Sequence, residues 1–201
     1  MQKKFCLLIS LVLISVLVLP GASQGTLLIN GDFETGDDTG WFSWGPIGNF
    51  QIVSDPVYSQ GDWSATLYWS DAGWVQLVSA TEGETYTLSG DMIHNSDFDD
   101  RAAHLKLEFW DADDTAVIAE YDIGILPASG TADDTWFSYS GSAVAPVGTG
   151  LAKVVLLYVD STGGQATPFG LAYWDNVVLT PEPATVALLG LGGLFLRRRK
   201  R

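Results

Sequence analysis

The sequence predicts an all-β protein, a jelly-roll β-sandwich flanked by an N-terminal signal peptide and a C-terminal hydrophobic sorting helix. Three observations carry this expectation. Between residues 24 and 180, every long segment reads at period two or as a short apolar run between turn residues, the pattern of strands rather than helices. Roughly ten such segments succeed one another at the even spacing of sandwiches and jelly rolls, with no alternating helical pattern that would suggest an α/β domain. Finally, the two ends of the chain are uncharged apolar runs flanked by cations, unlike anything between them.

Met1 to Ser23 (1–23) reads as a secretory signal peptide. Lys3 and Lys4 form a basic start, Phe5 to Leu19 an apolar run, and Pro20-Gly21-Ala22-Ser23 a small-residue exit. The chain's one cysteine, Cys6, lies inside this segment. It comes too early for a lipidation cysteine, and the mature body is expected to hold no thiol, disulfide or cysteine-bound metal.

The body, 24–180, is expected to form one domain. Its strands are read at Leu27–Asn30, Phe50–Val53, Trp63–Trp69, Trp74–Ser79, Thr85–Ser89, Leu105–Phe109, Thr115–Ile123, Thr135–Val144, Lys153–Val159 and Ala172–Leu179. Leu105, Leu107 and Phe109 alternate with Lys106, Glu108 and Trp110, which places Trp110 on the face opposite the apolar three. Lys153–Val159 is apolar on both faces, as a central strand is. Glu82-Gly83, Asp111–Asp114, Pro127–Gly130, Pro146–Gly150 and Ser161–Gly164 supply the turns. Asp111–Asp114 is a hairpin turn and no calcium loop, because an EF-hand would need Gly at Ala116 and Glu at Asp122.

With the ends removed, three cations (Arg101, Lys106 and Lys153) face 23 acids, a formal charge of −20 on the body. Such a surface repels nucleic acid and anionic lipid, and excludes both as partners.

The tail, 181–201, has three ordered parts. Pro181-Glu182-Pro183 interrupts strand structure and is expected to leave an extended, accessible spacer. Ala184 to Leu196 (184–196) is an uncharged apolar run. As a helix it would measure about 20 Å against a hydrocarbon core of about 30 Å, so it suits transient insertion better than a permanent span. Arg197, Arg198, Arg199, Lys200 and Arg201 form a cytoplasmic stop under the positive-inside rule.

This tail resembles the PEP-CTERM sorting signal, with Thr180 where that family usually has Val. The resemblance implies that a membrane-embedded exosortase reads the motif in exopolysaccharide-producing bacteria and cuts near Pro-Glu-Pro. The body would then be released or held at the cell surface after transient anchoring in the inner membrane. A tail anchor that is never processed is the alternative, and it too places the body outside the cytoplasm.

A second resemblance spans nearly the whole body. Leu28–Glu34 (LINGDFE) with Gly40-Trp41, Trp74–Val78 followed by Gly83–Ser89, and Ala172–Leu179 (AYWDNVVL) look like the opening, middle hairpin and closing strand of galactose-binding-like jelly rolls. The likeness is strongest to carbohydrate-binding modules of the family 4/9/16/22 type. It implies a structural Ca²⁺ held by Asn30, Glu34 and Asp175, pinning the terminal strands. The alternative is that Glu34 and Asp175 make capping or turn hydrogen bonds without metal.

Sugar rings stack their C–H faces on aromatic rings while polar side chains take the hydroxyls, so a glycan groove needs both on one sheet face. Trp74, Gln76, Trp110, Trp44 and Tyr58 are the candidates. For each ring the competing role is core or loop packing, the role expected of Trp41 and Trp174. A catalytic centre is not expected: His94 and His104 lack metal-ligand spacing, no nucleophile elbow occurs, and acids this abundant single out no carboxylate pair. Three functions follow in order: a glycan-binding module at the cell surface, a structural or adhesive matrix component without sugar binding, and a secreted hydrolase.

Overall fold

The computed structural model describes residues 25–182 apart from 47, 55–58, 69–70, 99–100, 128–130 and 161–169. The expected signal peptide, Tyr58, Pro183, the 184–196 helix and the Arg197–Arg201 cluster lie outside the described residues. Gly25–Glu182 forms one compact unit. Its strands are β1 (Phe42–Trp44), β2 (Phe50–Val53), β3 (Ser64–Tyr68), β4 (Ala72–Ser79), β5 (Thr85–His94), β6 (Arg101–Trp110), β7 (Val117–Pro127), β8 (Phe137–Val144), β9 (Leu151–Asp160) and β10 (Leu171–Pro181). All the pairings are antiparallel, and they build two five-stranded sheets. Sheet 1 runs β1-β4-β9-β6-β7 and sheet 2 runs β2-β3-β10-β5-β8.

The period-two pattern decides which side of each strand meets the other sheet. On sheet 1, Ala103, Leu105, Leu107 and Phe109 of β6 and Ala152, Val154, Leu156 and Tyr158 of β9 are buried in the core. Sheet 2 answers with Leu67, Tyr86, Leu88, Met92, Trp174 and Leu179. The alternating strand β6 and the centrally placed β9 stand where their patterns put them.

Several segments depart from the sequence reading: β1 is not among the expected strands, β5 and β6 are longer than read, and β7 runs into the expected turn at Pro127. Leu27–Asn30 forms no strand. Leu27 N donates to Leu179 O at 2.8 Å, but two residues later a side chain takes over the pairing. The carboxamide of Gln76 accepts from Ile29 N at 2.7 Å and donates to Ile29 O at 2.9 Å, replacing a ladder rung. The strand expected at Thr115–Ile123 begins at Val117, because Asp111 holds Thr115 and Ala116 in the hairpin turn. Its Oδ1 accepts from both backbone N–H groups and its Oδ2 from Thr115 Oγ1. β10 does not stop at Leu179: Pro181 still pairs with Tyr86.

Midway along, β10 carries a bulge between Asp175 and Val178, with Asn176 at φ 51°. The extra residue turns Val177 toward the core (1% exposed), and Val177 N reaches Gly31 O at 2.8 Å. A Cβ on Gly31 would stand 2.1 Å from Val177 O, so only glycine lets the N-terminal segment seat against the bulge.

Candidate functional site

The outward face of sheet 1 is a grid fixed by strand register. One row across the sheet reads Trp44, Gly73, Leu157, His104, Ile125, and the next reads Phe42, Val75, Val155, Lys106, Asp122. A third holds Leu77, Lys153, Glu108 and Glu120, and a fourth Ser79, Leu151, Trp110 and Val117. The β1–β4–β9 side of the face is therefore mostly apolar, Lys153 and Ser79 excepted, and the β6–β7 side more polar, with Trp110, Val117 and Ile125 among its charged residues.

The polar side is internally paired. His104 Nδ1 lies 2.9 Å from Asp122 Oδ1, and Lys106 Nζ lies 3.1 Å from Glu120 Oε2 and 4.0 Å from Glu108 Oε1. Trp110 Nε1 donates to Glu108 Oε2 at 2.8 Å, while Lys153 Nζ stands 3.5 Å from the Trp110 ring centroid and also pairs with Asp114. Lysine over an indole is a cation–π contact. Both lysines of the body thus sit on this one face, each already neutralised. Glu108 and Glu120 are cross-strand partners. Both engage the Lys106 ammonium, and Glu108 also accepts from the Trp110 N–H.

At the opposite corner the aromatic rings are free. Trp44 is 44% exposed and Phe42 68%. Gly73 lies beneath Trp44, and a Cβ there would fall 2.4 Å from Trp44 Nε1 and 2.7 Å from Cε2. The bare glycine backbone is what lets the indole lie against the sheet, leaving its other face outward. Strand spacing and rise put Trp44 and Trp110 about 25 Å apart on the diagonal.

The structure therefore divides the four expected glycan contacts that lie among the described residues. Trp44 and Trp110 share the outward face of sheet 1, although Lys153 covers one side of the Trp110 ring. Trp44 belongs to β1 and not to a loop; Gly40 and Gly45, both at positive φ, clip that strand to three residues, too few for periodicity to register. Trp74 and Gln76 do share one side of β4, as expected, but it is the core side, and they cannot serve as a sugar platform. Trp74 is 2% exposed and meets Phe50 of the other sheet edge-on at 5.4 Å, with its Nε1 lacking a partner. Gln76 is spent on the Ile29 backbone. Phe42, His104 and Asp122 were not singled out from the sequence. The i, i+2 spacing of Phe42 and Trp44 is the signal that could have found the first of them.

The calcium expectation meets a different geometry. Glu34 accepts from Asp62 N (2.9 and 3.1 Å, one to each oxygen) and Trp63 N (3.0 Å). Asp175 Oδ2 accepts from Ser59 N at 2.6 Å and Gln60 N at 2.9 Å, and its Oδ1 from Asn176 N at 2.6 Å. Asn30 spends its side chain on Asp37 O and Thr35 N. Two carboxylates thus grip residues 59–63 from either end through N–H donors, and a cation would face those donors' hydrogens. Among the described residues no group of three or more His, Cys, Asp or Glu could hold a metal ion. As they stand, Asn30, Glu34 and Asp175 do not fit a calcium cage.

Burial pushes the Asp175 carboxyl above its ordinary range. Its backbone donors work against that shift, and the charge of Asp91 reinforces it. Asp91 is its cross-strand partner and accepts hydrogen bonds from the hydroxyls of Ser138 and Ser59.

A family model described as the PEP-CTERM protein-sorting motif matches residues 179–201. No curated protein matches this chain by sequence. Among solved structures, the fold is similar to the C-terminal family 22 carbohydrate-binding module of Clostridium thermocellum Xyn10B. The identity is 16%, the match covers 79% of this chain and 96% of that one, and the TM-score is 0.56. It is also similar to TmCBM61, solved with β-1,4-galactotriose (17% identity, 78% and 99% covered, TM-score 0.55). A third is the enzymatically active domain of bacteriophage CBA120 tailspike protein 4 (15% identity, TM-score 0.56), where the match covers 78% of this chain but 21% of that one. At these identities the likeness speaks for fold alone. The chain carries a PEP-CTERM sorting motif behind an all-β body with the jelly-roll fold of carbohydrate-binding modules.

Proposed function

We propose that this protein is an exported module, delivered to the cell surface by its PEP-CTERM tail after exosortase processing, whose jelly roll binds a glycan on the outward face of sheet 1. The observation that carries the reading is Trp44 lying over Gly73 beside exposed Phe42, on the same sheet face as the His104–Asp122 pair. Rings offer stacking faces and the polar side offers hydrogen bonds to hydroxyls, the two needs of sugar recognition. Both lysines are paired, and the body carries −20, so the ligand is a neutral polysaccharide. The role is binding rather than catalysis, since the facing glutamates share one ammonium.

The test is calorimetric titration of the purified chain with neutral oligosaccharides identified on a glycan array, beside Trp44→Ala. Binding that weakens about tenfold in the variant, the order of one aromatic contact, supports the reading, and binding indifferent to Trp44 rejects the face. A structural or adhesive role draws on exposed Val117, Ile118, Ile125, Val144 and Val147. It is favoured if the array is blank and the chain self-associates.

A further inference from the structure

The first two residues of the sorting motif belong to the folded body. Pro181 is the last residue of β10 and pairs with Tyr86 of β5. Glu182 N donates to Thr85 O at 2.8 Å, which extends the sheet by one more rung. Its carboxylate lies on the outward face of sheet 2, where Oε1 accepts from Thr87 Oγ1 at 3.1 Å and Ser142 Oγ at 3.4 Å. Those two hydroxyls lie 2.7 Å apart and also bond each other, so at any moment one donates to the carboxylate and the other to its neighbour. Glu182 stays exposed to solvent, but neither residue is a free spacer: both continue the sheet, and the compact unit ends at Glu182.

An enzyme that cuts at Pro181-Glu182-Pro183 must take the extended backbone into its own cleft, reading it through main-chain hydrogen bonds and the glutamate side chain. In the folded body one backbone edge belongs to β5, and the carboxylate is held by Thr87 and Ser142. Resting on the reading of 179–201 as a sorting signal, we infer that Thr87 and Ser142 latch the motif to sheet 2. The end of β10 must peel from β5 before the sorting protease can engage it.

Peeling is feasible for Thr180–Glu182, beyond the buried Leu179. Residues 171–174 pair with β3 on one side and 172–175 with β5 on the other, and Leu179, opposite Leu88 of β5, also takes Leu27 N–H on its carbonyl; beyond it Thr180 and Pro181 pair with β5. The bulge at Asp175–Val178 already interrupts the ladder between the two parts. One-sided pairing at a partly exposed strand end marks a segment that opens locally while the rest stays folded. The body therefore sets the rate at which its own tail is processed, without contributing a catalytic group.

The test follows processing of the full chain by pulse-chase in a bacterium that carries the sorting protease, with two variants of opposite expected sign. Thr87→Val with Ser142→Ala removes both hydroxyls, and is expected to speed cleavage roughly three- to tenfold, the worth of about one hydrogen bond. Ser142→Lys sets an ammonium beside Glu182, and is expected to slow it. Exchange of the Glu182 amide should move in the same two directions. A variant that merely unfolds would speed cleavage in either case, so the opposite signs separate the latch from damage. Equal rates in all three chains overturn the latch while leaving the sorting signal intact. Absence of cleavage in every chain overturns the sorting reading and the latch with it.

Discussion

The indole of Trp44 rests over Gly73, two neighbours in adjacent strands where the missing side chain of one makes room for the ring of the other. Gly73→Ala would place its methyl 2.4 Å from Trp44 Nε1, closer than any Cβ contact allows, so the indole must lift from the sheet. Glycan affinity is expected to fall about tenfold, comparable to losing the ring contact. Thermal stability should change by no more than about 1 kcal/mol, because Trp44 is an edge residue. Titration and melting of the same variant provide the check, and unchanged affinity would mean that the ring orientation is immaterial.

The amide grip on residues 59–63 leads to an expectation about metal. Chelator should leave the melting midpoint of the body unchanged, since Glu34 and Asp175 are engaged by backbone N–H groups. Glu34→Ala should instead destabilise by about 0.5–1.5 kcal/mol, the net worth of exposed hydrogen bonds whose donors water can take over. A midpoint that drops with chelator, and recovers with added calcium, would contradict this account.

Gln76 supports the N-terminal segment through two hydrogen bonds to Ile29. Gln76→Leu keeps most of the volume but leaves both Ile29 groups without a partner. About 1–3 kcal/mol of stability should be lost in denaturant unfolding, with faster amide exchange confined to residues near Ile29. Uniform exchange across the body would argue that the segment is held by something else.

Asp175 sets a pH dependence with a definite sign. Its carboxyl is raised in the folded state, chiefly by burial, so the native state holds the proton more tightly than the unfolded chain. Protonated Asp175 therefore favours folding, and its contribution falls as pH climbs from the ordinary carboxylate value through the raised one. Melting midpoints of wild type and Asp175→Asn, taken from pH 3.5 to 7, should diverge accordingly. Wild type should lose ground to the variant as pH rises across that window. A difference that stays flat would mean the carboxyl titrates alike folded and unfolded.

How much was legible depends on the range of the interaction involved. Leu105, Leu107 and Phe109 announced their buried side by alternation, and Val154–Val159 its central place by being apolar throughout, because strand periodicity is local. Trp74 shows the limit. Its period-two partnership with Gln76 was read correctly, but alternation alone does not say which side of a strand meets the other sheet when both sides carry large residues. Phe50, more than twenty residues away, closes over Trp74 and settles the matter.

By itself, then, the sequence determined the all-β class, the hairpin at Asp111, the acidic body and the sorting motif at the tail. Each of these is written in neighbouring residues and needs no partner from afar. Only the tertiary structure decided that Trp44 lies on Gly73, that Glu34 and Asp175 clasp one loop, and that Glu182 is tied to Thr87 and Ser142. Those contacts join residues 28 to 116 positions apart, and register between strands, which no single segment encodes, brings them together.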